Sequence, residues 1–379
     1  MSFGDVLAST PVREVGAFAM RATDLDVSWA LAKPAGSRDL RDFAALIGPV
    51  AAARIEDLAR ASHSLTLRRF GRTVHMYAPL YLSNECLTTC TYCGFARGLP
   101  IARKTLSVEQ SLREGEFLRA RGYRHVLLLT GEHQKLTGVD FLCEHVATLR
   151  AVFPQISLEV QVWNEDEYRR LAAAGADGVV IYQETYDPDS YARFHVAGRK
   201  RDYEFRLEGP ERAARAGIRR LGIGALLGLH EPWREDAIAL AAHALHLLKV
   251  AWRQELAVSV PRIRPSASGY SPEQPVADRD LAQLICALRL LLPDTGIVMS
   301  TREAPGFRDA LVPLGVTHTS AGSHTDPGGY TEPGEAEGQF EVDDTRAPEV
   351  VVAALRTLGY EPVWKDWDAV MRPEPATLS

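Results

Sequence analysis

From residue 76 onward, short runs of aliphatic and β-branched residues alternate with longer stretches whose apolar positions recur every three to four residues. The short runs predict strands over 76–83, 125–130, 156–162, 178–183, 220–228, 256–261, 296–300 and 315–319. The stretches between them predict amphipathic helices over 107–121, 138–152, 164–174, 209–217, 233–250 and 279–292. Strands joined through helices pair in parallel, and eight such repeats predict an α/β chain closed into a (β/α)8 TIM-type barrel. Closure is not visible in a sequence, so an incomplete six-stranded barrel is the second reading. Residues 1–75 form an N-terminal extension that reads as helical, with helices over 38–49 and 50–63. The barrel itself spans 76–323, and 324–379 form a short C-terminal extension packed on it. That extension holds a turn at Asp326-Pro-Gly-Gly-Tyr330, a Gly- and Glu-rich stretch over 331–338 and a helix over 347–358 ended by Gly359. The segment Trp364-Lys-Asp-Trp367 is expected to fold back onto the body.

Polar residues gather directly after the strands. Strand 1 runs into Asn84, strand 2 ends at Thr130-Gly-Glu132, and strand 4 at Gln183-Glu-Thr185. Strand 6 ends at Arg262-Ile-Arg264, strand 7 at Thr301-Arg-Glu303, and strand 8 at Ser320-Ala-Gly-Ser323. In a parallel barrel the carboxyl ends of all strands share one rim, where active sites are built.

The stretch behind strand 1 narrows the chemistry. Cys86, Cys90 and Cys93 are spaced C-x3-C-x2-C, and the two remaining cysteines, Cys143 and Cys286, lie far off at helical core positions. A [4Fe–4S] cubane is normally held by four thiolates. Three thiolates leave one iron open to a small ligand, and this spacing after a strand resembles the radical S-adenosylmethionine (SAM) enzymes. The alternative is a structural zinc knuckle, which needs a fourth nitrogen or sulfur ligand. Neither His75 nor His125 stands in a zinc-ribbon pattern.

Composition excludes several classes. The chain has 379 residues and a net charge of −6, with its Lys and Arg scattered, so no basic stripe points to nucleic acid. The triplet Arg68, Arg69 and Arg72 reads as a solvated turn. No apolar run reaches the ~18 residues of a spanning helix, and the start lacks a signal-peptide pattern, so no membrane is expected. Clustered cysteines kept for metal agree with a reducing, cytoplasmic setting.

Individual rim residues then take candidate roles. Glu132 is a carboxylate acceptor for the SAM amine, Glu184 for its ribose hydroxyls, and Arg206 a partner for its methionyl carboxylate. Ion pairing of Glu184 with Arg206, Lys200 or Arg201 is the competing role. Arg302 offers a planar fork for a substrate carboxylate, with Ser320 and Ser323 on the next strand; pairing with Glu303 competes. Tyr81 and Asn84, just ahead of the first cysteine, are candidate substrate contacts. His318 and His324 are expected to flank the strand 8 rim.

Taken in order, these residues resemble the radical SAM tyrosine lyases of thiamine thiazole biosynthesis, the 2-iminoacetate synthases. The resemblance runs from about residue 38 to 368 and rests on Ala78-Pro-Leu-Tyr-Leu-Ser-Asn84, Cys93-Gly-Phe95 and Leu129-Thr-Gly-Glu-His133. It continues through Tyr182-Gln-Glu-Thr-Tyr186, Arg206-Leu-Glu208, Ser300-Thr-Arg-Glu303, Pro327-Gly-Gly-Tyr330 and Val363-Trp-Lys-Asp-Trp-Asp368. It implies cleavage of the Cα–Cβ bond of L-tyrosine to 2-iminoacetate (dehydroglycine) and p-cresol, with SAM cleaved to 5′-deoxyadenosine and methionine. It further implies a [4Fe–4S] cluster on Cys86, Cys90 and Cys93, and SAM contacts by Tyr92, Glu132, Glu184 and Arg206. Arg302 with Ser320 or Ser323 would clamp the amino acid, with Tyr81 and Asn84 nearby. A thiazole synthase partner and a flavodoxin or ferredoxin-type reductant belong to the same expectation. The hydrogenase-maturation tyrosine lyase carries a second cluster on C-terminal cysteines, and no cysteine follows Cys286 here. A tryptophan lyase of the same barrel type is the alternative activity, and a non-catalytic metal-binding protein the alternative from another class. Residues 1–30 match loosely and carry no assignment.

Overall fold

The computed structural model describes residues 2–365; Asp366, Trp367, Asp368 and the rest of the C-terminal extension lie outside the described residues. Eight strands form the barrel: β1 Thr73–Ser83, β2 His125–Thr130, β3 Gln155–Glu159, β4 Gly178–Glu184, β5 Arg220–Ala225, β6 Glu255–Ser259, β7 Gly296–Met299 and β8 His318–Ser320. All pair in parallel in chain order, and β1 bonds to both β8 and β2, so the barrel closes. A short ninth strand absent from the hydrophobic pattern, β9 Glu361–Val363, pairs with the amino end of β1 through Thr73 and Glu361.

The outward faces of the strands supply the core. Val126, Leu128, Ile156, Leu158, Ile181, Ile223 and Val258 are all buried against the helical ring. A parallel sheet covered on both faces reads as continuous apolar runs, which is why the strands were conspicuous in the sequence. Capping boxes fix helix starts in the ring: Ser107 with Gln110, and Asn164 with Glu167.

Several boundaries differ from the sequence reading. The helix expected over 50–63 is two, Pro49–Ala53 and Ile55–Phe70, with Arg54 at the break. Its guanidinium bonds to Asp24, Ser28 and Asp57, tying the last of three earlier helices to the body. Those are Phe3–Ser9, Val12–Arg21 and Asp24–Ala32. Strand 8 begins at His318 because Gly315, at φ 143°, turns the chain out of a 3-10 helix over Val312–Leu314.

That shift corrects His318. It does not flank the rim: it begins β8 in register with His75 near the start of β1, at the opposite end of the barrel. Its ring stacks on His75 at 4.8 Å, and its Nε2 lies 2.8 Å from Arg220. His125 joins this floor through Ser157 Oγ at 2.9 Å. Burial, reinforced by Arg220, holds His125 and His318 well below the usual imidazole range. Burial likewise lowers His195 and His243 to about 3.

The native state therefore keeps these imidazoles neutral, while an unfolded chain protonates them below pH ~6.5. Stability present above that pH should fall as the medium is acidified, by up to about 2 kcal/mol per histidine between pH 6.5 and 5. Asp236, pushed up to about 6 by burial, and Glu159, pushed up to about 7 by burial, offset part of this. Denaturant midpoints at pH 7 and pH 5 check the sign; a midpoint that rises on acidification contradicts it.

Candidate active site

The cysteine loop is held from three sides. At its base, Asn84 Nδ2 donates to the carbonyl oxygens of Ala102 (2.8 Å) and Glu337 (3.2 Å), and its Oδ1 accepts from the Lys104 amide. Arg103 donates to the carbonyls of Asn84, Phe95 and Ala96, closing the loop on itself. The turn after β2 forms the second side, where the Leu87 amide donates to Glu132 O at 2.8 Å. A side chain at Gly131 would put its Cβ 2.3 Å from Glu85 O, so the two turns can approach only with glycine there. The third side is an antiparallel bridge between Cys90 and His195. His195 Nδ1 faces the Tyr191 carbonyl, which can only accept, so Nε2 is left to accept from Tyr92 OH at 3.0 Å.

A strap from the C-terminal part lies over the third cysteine. Gly94 N donates to Gln339 O, and Gln339 reaches both Cys93 Sγ (3.7 Å) and Tyr81 OH (2.8 Å). A Cβ on Gly94 would stand 2.4 Å from Gln339 O. Gly94→Ala should therefore displace the strap, costing about 1–3 kcal/mol. Iron retention after anaerobic dilution and the denaturant midpoint check this; unchanged values of both contradict it.

Cys86, Cys90 and Cys93 border one cavity of ≈ 570 Å³, together with Glu132, Glu184, Lys200 and Arg206. Among the described residues no three His, Cys, Asp or Glu side chains are close enough to share a single ion. The thiols instead stand around a space, as a cluster several ångströms across requires. Burial pushes Cys90 up to about 12 and raises Cys93. Such thiols shed their protons on binding iron, because a coordinating thiol is deprotonated outright. With three sulfur donors on one cavity and no fourth cysteine beside them, the residues fit a cubane with one open iron.

The acids and bases beside the thiols form a network. Glu184 ends β4 at φ 73°, the positive-φ non-glycine residue among the described residues, where a register shift separates it from Tyr182. Backbone strain of this kind clusters at functional sites. Lys200 Nζ donates to Glu184 at 2.6 Å, and Arg206 donates to Glu132 at 3.2 Å and to the Tyr182 carbonyl at 2.6 Å. Burial raises the Glu184 carboxyl, but Lys200 and Arg206 outweigh it and hold it below the ordinary range. Glu184 is thus held as an anion beside the thiols, and Glu132 stands with it, paired to Arg206, in place to accept from an ammonium and from hydroxyls.

A second cavity of ≈ 910 Å³ opens over the barrel and shares a wall with the first, made of Tyr81, Cys93, Leu129, Glu159, Tyr182 and Gln339, with Glu184 and Lys200 beside them. On its far side stand Arg302, Ser320 and Ser323. Arg302 does not pair with Glu303, which is buried against Arg262. Its guanidinium lies 3.5 Å from the Phe340 ring centre, and no hydrogen bond or salt bridge joins it to another described residue. Ser323 Oγ is buried without a partner among the described residues, and Ser320 bonds to Tyr77.

The structure thus brings together the three cysteines, Tyr81, Tyr92, Glu132, Glu184, Arg206, Arg302, Ser320 and Ser323 around two joined cavities. It does not bring Asn84 to either wall; that side chain is fully buried and spends its polar atoms on backbone. His324 lies beside Asp326 and Tyr330, away from both walls. Sequence reasoning missed Glu159, the Gln339–Phe340 strap and His195. Glu159 carried a signal, a lone acid inside the run read as a strand over 156–162; the strap follows the Gly- and Glu-rich stretch over 331–338 and carries none.

A three-thiol loop behind the first strand of a closed parallel barrel, facing paired acids on the next strands, defines a radical SAM barrel enzyme. Family models agree: residues 80–241 match the Radical SAM superfamily, and 259–361 the Biotin and Thiamin Synthesis associated domain. The 2-iminoacetate synthase of Escherichia coli (strain K12) is 46% identical over 349 residues, 92% of either chain. That of Salmonella typhimurium is 45% identical over 347 residues, with the same coverage. The chain belongs to the 2-iminoacetate synthase family. Among solved structures it is similar to HydG, a maturase of the [FeFe]-hydrogenase, with a TM-score of 0.89 and 29% identity, covering 95% of this chain and 81% of that one.

Proposed function

We propose that this chain cleaves the Cα–Cβ bond of L-tyrosine to 2-iminoacetate and p-cresol for thiazole synthesis. The observation that carries this reading is Arg302, a guanidinium without a carboxylate partner among the described residues, facing across one cavity toward the wall that its cavity shares with the thiol cavity. When bound, the [4Fe–4S] cluster and SAM supply an electron and a 5′-deoxyadenosyl radical.

The chain's own residues do the rest. Cys86, Cys90 and Cys93 hold the cluster, while Glu132, Glu184 and Arg206 bound the SAM space and Tyr92 faces SAM from the adjoining cavity. Arg302 clamps the substrate carboxylate as a bidentate fork, and the unpartnered hydroxyl of Ser323, with Ser320 beside it, supplies further donors. Leu127, Leu129 and Pro79, with Tyr77, Tyr81 and Tyr182, give the aromatic ring an apolar slot. Clamping the carboxylate fixes which hydrogen meets the radical, a gain of positioning. Asn84 acts by holding the cysteine loop and not by touching substrate.

In this reading residues 1–75 and 324–379 flank the catalytic barrel of 76–323. A thiazole synthase takes the short-lived imine, and a flavodoxin or ferredoxin-type protein supplies electrons. No helix among the described residues is long and apolar enough to cross a membrane, in keeping with cytoplasmic work. The test is anaerobic reconstitution with iron, sulfide, SAM and dithionite, then product identification with tyrosine and tryptophan side by side. Tyrosine should yield p-cresol and 5′-deoxyadenosine. A preference for tryptophan, or neither product from a fully loaded chain, overturns the reading.

A further inference from the structure

One acid in the site has no assigned work. Glu159 ends β3 on the wall that the thiol cavity and the substrate cavity share, and it also borders the barrel interior beneath them. Among the described residues nothing hydrogen-bonds or ion-pairs with its carboxyl group, although Glu132, Glu184 and Glu303 are each engaged. A carboxyl group lining a cavity without a partner is poised for a ligand group. In the closed ring β3 and β7 lie on opposite sides, so Glu159 faces the Arg302 side across the mouth. A zwitterionic amino acid presents matching ends: a carboxylate for the guanidinium and an ammonium for the acid.

We propose that Glu159 receives the α-ammonium group of the substrate, takes one of its protons and presents a neutral amine for hydrogen-atom removal. This rests on the reading given under Proposed function and deepens it. The reacting nitrogen must lie where the two cavities meet, and Glu159 stands there. Loss of a hydrogen atom from an ammonium leaves a radical cation with no lone pair on nitrogen, whereas loss from a neutral amine leaves an uncharged aminyl radical that keeps one. The transfer balances as –NH3+ and –COO− giving –NH2 and –COOH. The hydrogen atom that then leaves nitrogen carries one electron of the N–H bond to the carbon radical the cofactor supplies, and the other electron stays on nitrogen.

The surroundings favour this exchange. Glu159 is faced by Tyr77 and Tyr81 from β1, Tyr182 and Glu184 from β4, Lys200 and Arg206 from the segment after β4, and Arg302 from beyond β7. Burial outweighs these cations and pushes the carboxyl up to about 7, nearer to an amine than an exposed glutamate is. Such matching is what a general base needs.

Binding separates this role from others without turnover. The reconstituted chain with SAM and no reductant is titrated calorimetrically with L-tyrosine, L-phenylalanine and 3-(4-hydroxyphenyl)propionate, which lacks the amino group. Glu159→Gln should weaken tyrosine and phenylalanine by about 30-fold or more and leave the des-amino acid unchanged. Loss confined to the two phenols would place Glu159 at the ring hydroxyl and overturn the proposal, as would equal loss of all three. In the unaltered chain, tyrosine should bind more tightly as pH rises through about 7, and the des-amino acid should not. This second measurement stands even if the variant folds poorly; a flat tyrosine profile overturns the proposal. Under turnover at pH 7, Glu159→Gln should form p-cresol at least ~100-fold more slowly. Its rate should recover toward pH 9, where solution supplies neutral amine; no recovery overturns the base role. If the unaltered chain binds no tyrosine at all, the underlying function fails and not this residue alone.

Discussion

Cys90→Ala should yield neither p-cresol nor 5′-deoxyadenosine. Cys90 is the middle of the three thiols and the one most deeply set, 3% exposed among Tyr92, Phe194, Leu226 and Leu229. Its backbone also bridges to His195, so the loop position is fixed by main chain and survives loss of the sulfur. The loss should exceed the ~10–100-fold typical of residues that merely support a metal ligand. Iron content and visible absorption after reconstitution should fall together, while the unfolding midpoint of the metal-free chain moves little. Retention of tyrosine-dependent 5′-deoxyadenosine by this variant would remove Cys90 from the ligand set.

Arg302→Ala should separate the two products. The cluster side of the wall does not include Arg302, so SAM cleavage should lose little, whereas the substrate would lose the carboxylate clamp proposed for it. Misplacing a reacting atom by about an ångström costs on the order of 100-fold, and p-cresol formation should drop by at least that. The ratio of 5′-deoxyadenosine to p-cresol should rise accordingly, and KM for tyrosine with it. Arg302→Lys should recover only part, because an ammonium offers neither the planar fork nor the stack on Phe340. Equal loss of both products in Arg302→Ala would show that the residue supports the cofactor side instead.

Much of this site was legible because parallel barrels translate chain order into geometry. Each strand end delivers its next few residues to one rim, so Glu132, Glu184, Arg302 and Ser323 were gathered by counting strands alone. What the hydrophobic pattern could not show were local departures. Glu184 is aimed by a bulge and a positive φ, which no periodicity encodes. His318 was placed on the wrong end because the turn at Gly315 moved the strand start by three residues. Asn84 looked like a substrate contact, being just ahead of Cys86, yet its side chain turns away into the loop backbone. Gln339 reaches the cluster loop from a segment with neither periodicity nor motif, through contacts that only tertiary structure reveals.

Magnetic resonance of the reduced, reconstituted protein with nitrogen- and oxygen-labelled SAM tests the central claim most directly. Three thiolates would leave one iron to the methionyl amine and carboxylate, so hyperfine coupling from both labels to the cluster should appear, and Cys90→Ala should abolish it. A fully loaded cluster showing no coupling to either label, with every iron held by protein side chains, would contradict the account.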